Sequence, residues 1–305
     1  MRVEPNGAGI RDWIQIKYLA GPHVLQVVSI LNIGHGLLDL QVREIDAMSD
    51  IISITHNSSG AQPFQRLAYQ LTRYWIVLFA AAMGIYVGLP FLAPVFMHWG
   101  WSSAGKTIYL IYSFLCHQLP ERSYFLFGPK VSYSLGEIQS AWQNSLNPMI
   151  LRQFIGNPDM GWKVAWSDRM ISMYASTLVF GLLWYPFRRR LKVLPWWGFL
   201  LFLLPMVLDG GTHFLSDLSG IGQGFRYTNK WLATLIHQSL PLSFYVGDAL
   251  GSFNSWMRLL TGVLFGIGVV WFGFPYIDRI FADQARNLRR IIQPGDPKEY
   301  PVSNL

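Results

Sequence analysis

Apolar residues in this chain collect into long runs separated by polar stretches, rather than recurring at the spacing of soluble amphipathic elements. A helix that crosses a bilayer needs about 20 mostly apolar residues. The run "YWIVLFAAAMGIYVGLPFLAPVFM" at 74–97 meets that length, with Pro90 and Pro94 placed to bend its far end. Three more spans are predicted at "MISMYASTLVFGLLWYPF" (170–187), "VLPWWGFLLFLLPMVLD" (193–209) and "MRLLTGVLFGIGVVWFGFPYI" (257–277). A further one, "TIYLIYSFLCHQL" at 107–119, is short and needs residues back to Trp101 to complete a crossing. The pattern therefore predicts an all-α, polytopic helical membrane protein with about five transmembrane helices over 71–278. An N-terminal extension (1–70) precedes it, and a helical, then loose, cytoplasmic tail (279–305) follows. Within the extension, residues 14–40 read as an amphipathic or partly buried helix, and 55–65 as a linker.

Composition reinforces the membrane reading. Only 13% of residues are charged against 51% hydrophobic, about half the charge of a typical soluble domain at roughly 25%. The formal net charge of +7 could suggest nucleic acid. Its most concentrated cluster, however, is "RRRLK" at 188–192, abutting an apolar run, which is the placement of a topology signal. With a single cysteine, Cys116, no internal disulfide can form. Arg188, Arg189, Arg190 and Lys192 should lie in the cytoplasm, as should the tail with Arg286, Arg289 and Arg290. With five spans this puts the N-terminus outside, where Arg66 and Arg73 contradict the rule.

The chemistry gathers in the two loops on the other side. One holds Cys116, His117, Gln118, Glu121, Arg122 and Ser123, and runs to Asp168 and Arg169; the other begins at Asp209, Gly210, Gly211, Thr212 and His213 and continues through His237, Gln238 and Asp248 to Arg258. Ionisable groups at membrane depth cost about 2.5–3.5 kcal/mol each on insertion scales, so they should pair or line a wet pocket. Arg122, Arg169 and Arg258 could clamp an anion bidentately, with Gln118 and Ser123 beside them, or could instead pair with Asp168, Asp209 and Asp248. Cys116, His117, Asp209 and His213 are the candidate ligands for a metal, zinc by donor type, although no HxxxH, HExxH or CxxC pair supports them. His98, His117 or His237 could each serve as an axial ligand to a haem or pigment. Ser123 with His117 or His213 and Asp168 would spell a hydrolase triad, but no GxSxG elbow is present. The segments "CHQLPERSYFLFG" and "IHQSLPLSFYVGD" (236–248) share HQ, a nearby Leu-Pro, a Ser and an aromatic pair, as two halves of a repeat lining one site would.

Taken in order, "CHQLPERSYFLFG", "SDRMISMYASTLVFG", "LPMVLDGGTHF" and "SFNSWMRLLTGVLFG" resemble the landmarks of a domain-of-unknown-function family of prokaryotic predicted multi-pass membrane proteins. The resemblance covers about residues 70–275. It implies motif positions at Cys116, His117, Gln118, Arg122, Ser123, Arg169, Asp209, Gly210, Thr212, Asn254 and Arg258, and a prokaryotic inner-membrane location. Two positions depart from the pattern: Trp166 and Ser167 stand where a cysteine is expected before Arg169, and His213 replaces a glutamine. The family brings topology and site positions but no reaction. The expectation is an integral membrane protein that binds a small molecule or lipid head group at a polar, non-cytoplasmic membrane edge. A metal-assisted hydrolase and a non-catalytic subunit of a larger complex are the alternatives, so enzyme and non-enzyme readings both stand. Membrane lipids and other membrane subunits are the expected partners, and nucleic acid is not.

Overall fold

A computed structural model describes residues 61–292. The helix expected within 14–40 lies outside the described residues, as do residues 55–60 of the expected linker; 61–73 are helical. The longer helices are α1 (Ala61–Arg73), α2 (Trp75–His98), α3 (Ser102–Ser113), α4 (Leu135–Ala141), α5 (Asp168–Phe187), α6 (Trp196–Asp217) and α7 (Phe253–Ile292). Between α3 and α5 lies a small antiparallel sheet of β1 (Ser123–Leu126), β2 (Gly156–Asn157) and β3 (Gly161–Ser167) in the order β1-β3-β2. Helix α7 continues unbroken past residue 278, so the tail's helix is an extension of the last span.

Among the described residues four helices, α2, α5, α6 and α7, are long and apolar enough to cross a membrane. They are apolar yet little buried, down to 17% of the α6 window, which is the signature of helices whose outer faces meet lipid. Exposed Trp99 and Trp101 at one end and Trp196 and Trp197 at the other suit the two interfaces. The protein is a multi-pass membrane protein.

The segment expected as a further span is a correction. Helix α3 has 12 residues, about 18 Å at 1.5 Å per residue, against a hydrocarbon core of about 30 Å. After a turn at Gly100 it folds back onto the end of α2, where Ile108, Tyr109 and Tyr112 pack with Ala93 and Met97. Tyr112 also repairs the helix it returns to. Pro90 has no N–H to donate to the carbonyl four residues earlier, and the Tyr112 hydroxyl donates to that carbonyl, Tyr86 O, at 2.8 Å. With four spans the parity changes, and Arg73 comes to the same end as Arg188 and Arg286. Trp75 Nε1 donates to Asp278 Oδ1 (3.0 Å), and Arg188 lies 3.4 Å from the same carboxylate. The contradiction posed by Arg66 and Arg73 disappears.

Helices α5 and α7 meet along a seam of small residues. Ser172 Oγ donates to Arg258 O and Ser176 Oγ to Gly262 O (3.1 and 3.2 Å). A Cβ at Gly262 or Gly266 would fall 1.9 or 2.0 Å from those serine oxygens. This is small-residue packing, which lets backbones approach where lipid supplies no hydrophobic drive between helices. At the opposite end from Arg188, residues 119–160 form a cap with its own core of Leu119, Phe125, Tyr133, Ile138, Leu151 and Phe154. Strand β3 is buried along most of its length and runs straight into α5, so the cap positions Asp168 and Arg169 at the membrane edge.

Candidate functional site

Polar groups of the two loops and of the near ends of α5, α6 and α7 converge into one buried ion-pair network. Arg258, at the start of α7, donates through Nε to both oxygens of Asp168 (2.8 Å each) and through Nη1 to Asp248 Oδ1 (2.7 Å). Arg122, in the 3-10 turn Pro120–Arg122, reaches Asp248 Oδ2 through Nε (3.0 Å) and grips Asp217 bidentately (2.7 and 2.9 Å). On the other side Arg169 and Arg226 share Asp209, at 2.8 and 2.5 Å. Four arginines thus face four aspartates. Each charge is met where it is buried, the condition under which ionised groups are tolerated in a low dielectric.

Local sequence makes room for this. Asp209 is followed by Gly210, where a Cβ would stand 2.7 Å from Arg169 Nη1; glycine lets the guanidinium lie against the helix. Gly224 lies so close to Ser216 O that a Cβ there would be 2.1 Å away, and this approach carries Arg226 back over α6. Asn229, in the left-handed region at φ 41°, and Asn254 both donate through Nδ2 to Arg226 O (2.6 and 2.7 Å). They pin the loop that carries Arg226 to the head of α7.

His213 sits between the two branches. Its Nδ1 accepts from Arg226 Nε at 3.4 Å, which puts the imidazole proton on Nε2. That Nε2 is buried, has no hydrogen-bond partner among the described residues, and lies 4.0 Å from Asp248 Oδ1. A cavity of about 10 Å³, with room for about one water, is lined by Arg122, His213, Asp217, Arg226, Tyr227 and Asp248 among others.

Electrostatics differ across the loop residues. Burial would raise the Asp248 carboxyl, but Arg122 and Arg258 outweigh it and hold the group well below the usual carboxylate range. Glu121 is 2% exposed, and neither of its carboxylate oxygens has a hydrogen-bond partner among the described residues. Burial pushes it up to about 6 against the pull of Arg122. Lys163, fully buried on β3, is pushed down to about 7 by burial, with Glu121 acting in the opposite sense. Its Nζ donates to Gln118 O and Arg152 O (2.7 and 3.0 Å).

The residues singled out from sequence fall into three groups. Arg122, Arg169, Arg258, Asp209 and His213 come together, with the arginines engaged by aspartates. Gln118 and Ser123 serve the cap's own scaffold: Gln118 Nε2 donates to Tyr109 O and Ser123 Oγ to Leu119 O, both at 2.9 Å. Cys116 lies 3.5 Å from Ser167 Oγ in the aromatic cluster around Trp166, and His117 is exposed. Cys116, His117, Asp209 and His213 therefore do not form one ligand set. Among the described residues no group of three or more His, Cys, Asp or Glu side chains could hold a metal ion. The suspected repeat does meet at one place, since Arg122 of the first segment binds Asp248 of the second. In both segments the glutamine of the HQ pair has positive φ, 54° at Gln118 and 52° at Gln238.

Arg226, Asp217, Lys163 and Asn229 were not anticipated. Arg226 and Lys163 carried a faint signal, each a lone cation inside an aromatic, glycine-flanked stretch, "GFRY" and "GWKVAW".

Residues 159–272 match a family described as "Predicted membrane protein (DUF2085)". An uncharacterized protein of Methanocaldococcus jannaschii is 26% identical over 187 residues, covering 57% of this chain and 95% of that relative. No solved structure matches. The matched segment spans β3, α5 and α6 and includes Arg169, Asp209, His213, Arg226 and Arg258. The core of the network thus lies in the part of this multi-pass membrane protein that is similar to a domain-of-unknown-function family of predicted membrane proteins.

Proposed function

We propose that the chain binds a small anionic molecule, one bearing a carboxylate or phosphate, at the network end, with Arg122 as its principal contact. The observation that carries this reading is the unpartnered His213 Nε2 beside a small cavity under the Arg122–Asp217 pair. Asp217 is the most exposed of the four network carboxylates, its side chain 27% accessible against 6% or less for Asp168, Asp209 and Asp248. It already occupies the bidentate face of Arg122. An incoming anion would take that place as Asp217 swings to solvent, and one of its oxygens would accept from His213 Nε2. Arg258, 2% exposed and held on both sides by Asp168 and Asp248, positions the site. The positive-inside rule assigns the arginine-rich end to the cytoplasm, which leaves this pocket facing outward.

The test is thermal unfolding of the purified chain in mild detergent with inorganic phosphate or acetate. Asp217→Asn frees the Arg122 fork while keeping its shape, so its melting point should rise with either anion at lower concentration than the wild type requires. Arg122→Gln should abolish the response. If neither anion moves the melting point of the wild type or of Asp217→Asn, the reading fails.

A further inference from the structure

The anion pocket opens beside a lipid-facing row of α6. Its exposed edge is Asp217, and Phe214, three residues earlier, is the neighbour of Asp217 on the helix surface. Val207, Gly211, Phe214 and Leu218, spaced four, three and four, share one face of that helix. All four are exposed and none is charged. An added Cβ at Gly210 would stand 2.7 Å from Arg169 Nη1, whereas one at Gly211 would meet nothing within 4 Å among the described residues. Gly210 therefore makes room inside the protein. Gly211 makes room on the outside, at the usual expense of glycine to helix stability, and leaves a notch in the row between Val207 and Phe214.

Depth decides what can lie along this row. Helix α6 begins at Trp196 and Trp197, exposed at the arginine-rich end. At 1.5 Å per residue, Val207 is about 16 Å along the helix from Trp196, and Leu218 about 33 Å. Against a hydrocarbon core about 30 Å thick, Asp217 and the pocket mouth stand at the level of the outer head groups. From there the row descends to about the middle of the bilayer. Inside the pocket His213, 5% exposed, presents an Nε2 that has no hydrogen-bond partner among the described residues. A ligand whose anionic group accepted from that nitrogen would have its remaining atoms beside Phe214, Gly211 and Val207.

We infer that the ligand of this site is an amphiphile, a carboxylate or phosphate carried on a hydrocarbon chain. Its anionic group lies against Arg122 and His213, and its chain lies along Val207, Gly211 and Phe214 of α6. This rests on the anion reading of the pocket and adds the chain and the route, which is sideways from the outer leaflet. A water-soluble anion would use the pocket alone and gain nothing from the notch.

Thermal unfolding of the full chain in phosphatidylcholine nanodiscs tests this with matched probes, acetate against decanoate and inorganic phosphate against dodecyl phosphate. The chain-bearing anions should raise the melting point at concentrations at least about tenfold below those their short counterparts require, because each buried methylene adds to binding. Decanol, which has the chain without the charge, should leave the melting point unchanged. Gly211→Leu fills the notch without striking a described neighbour. It should melt like the wild type, keep the responses to acetate and phosphate, and lose most of the advantage of decanoate. Equal potency of short and long anions would overturn the amphiphile while the anion reading stands. An equal shift with decanol, or an unchanged decanoate response in Gly211→Leu, would also overturn it. Silence of all four anions would overturn both readings together.

Discussion

The two ends of this membrane protein handle arginine in opposite ways. At the network end four arginines meet four aspartates, every aspartate is engaged, and the cavity has room for about one water. At the other end, among the described residues, five arginines and one aspartate line a cavity of about 400 Å³. Matched charges in a buried setting hold structure, because removing one partner strands the other without solvent. At the other end the described partners are local and more exposed, Arg188 lying against Tyr185 and Asp278 and Arg286 beside Asp283, and exposed pairs add little to stability. The same side chain thus acts as a buried strut at one end and in exposed local pairs at the other, and burial decides how much each pair holds.

That contrast can be broken most severely at Arg258. Arg258→Met keeps the volume but leaves Asp168 and Asp248 uncompensated. We expect a loss of about 3–5 kcal/mol, seen as collapse of the monodisperse peak in detergent size-exclusion chromatography. If Arg258→Met ran like the wild type, the network would not be what holds the helix ends together.

A smaller effect is expected at Glu121, where the network end departs from its own rule by burying a carboxyl without a partner. Its folded-state value, raised from 4.5 to about 6, means that the folded protein favours the protonated form. The stabilisation is fully present below about pH 4.5 and is lost as pH rises through about 6, a change of about 2 kcal/mol. Glu121→Gln should remove that component. The stability difference, wild type minus variant, should fall by this amount between pH 4 and 8 in denaturant titrations, and a flat difference would show that Glu121 is solvated.

The smallest effect belongs to the arginine-rich end. Asp278→Asn keeps an acceptor for Trp75 and removes the one acid among the described residues that line the cavity. Its cost should be within about 1 kcal/mol, as for other partly exposed pairs, measured by the same denaturant titration. A loss comparable to that of Arg258→Met would erase the distinction between the ends.

The spans were readable because a bilayer permits only long apolar helices, so 74–97, 170–187, 193–209 and 257–277 announced themselves. The segment at 107–119 misled because a short apolar run can complete a span or fold back on its neighbour. The choice fell to a turn at Gly100 and to packing of Tyr109 and Tyr112 on α2. The site was half legible. Pairing of Arg169 and Arg258 with Asp209, Asp168 and Asp248 could be written down as one of two options, since these charges flank spans. Asp217, Arg226 and Lys163 could not be placed, since nothing local tells where a single charge in a loop will land.

By itself the sequence determined the class of protein, the solvent around it and which end carries the surplus arginines, since these follow from the lengths of apolar runs and the positions of charges beside them. Only the tertiary structure decided which charges are neutralised. Arg122 finds Asp217 and Asp248 across 95 and 126 residues of chain, and Gly262 meets Ser172 across the helix seam. Partnership at such separations depends on how helices cross and loops close, and apolar periodicity carries no record of either.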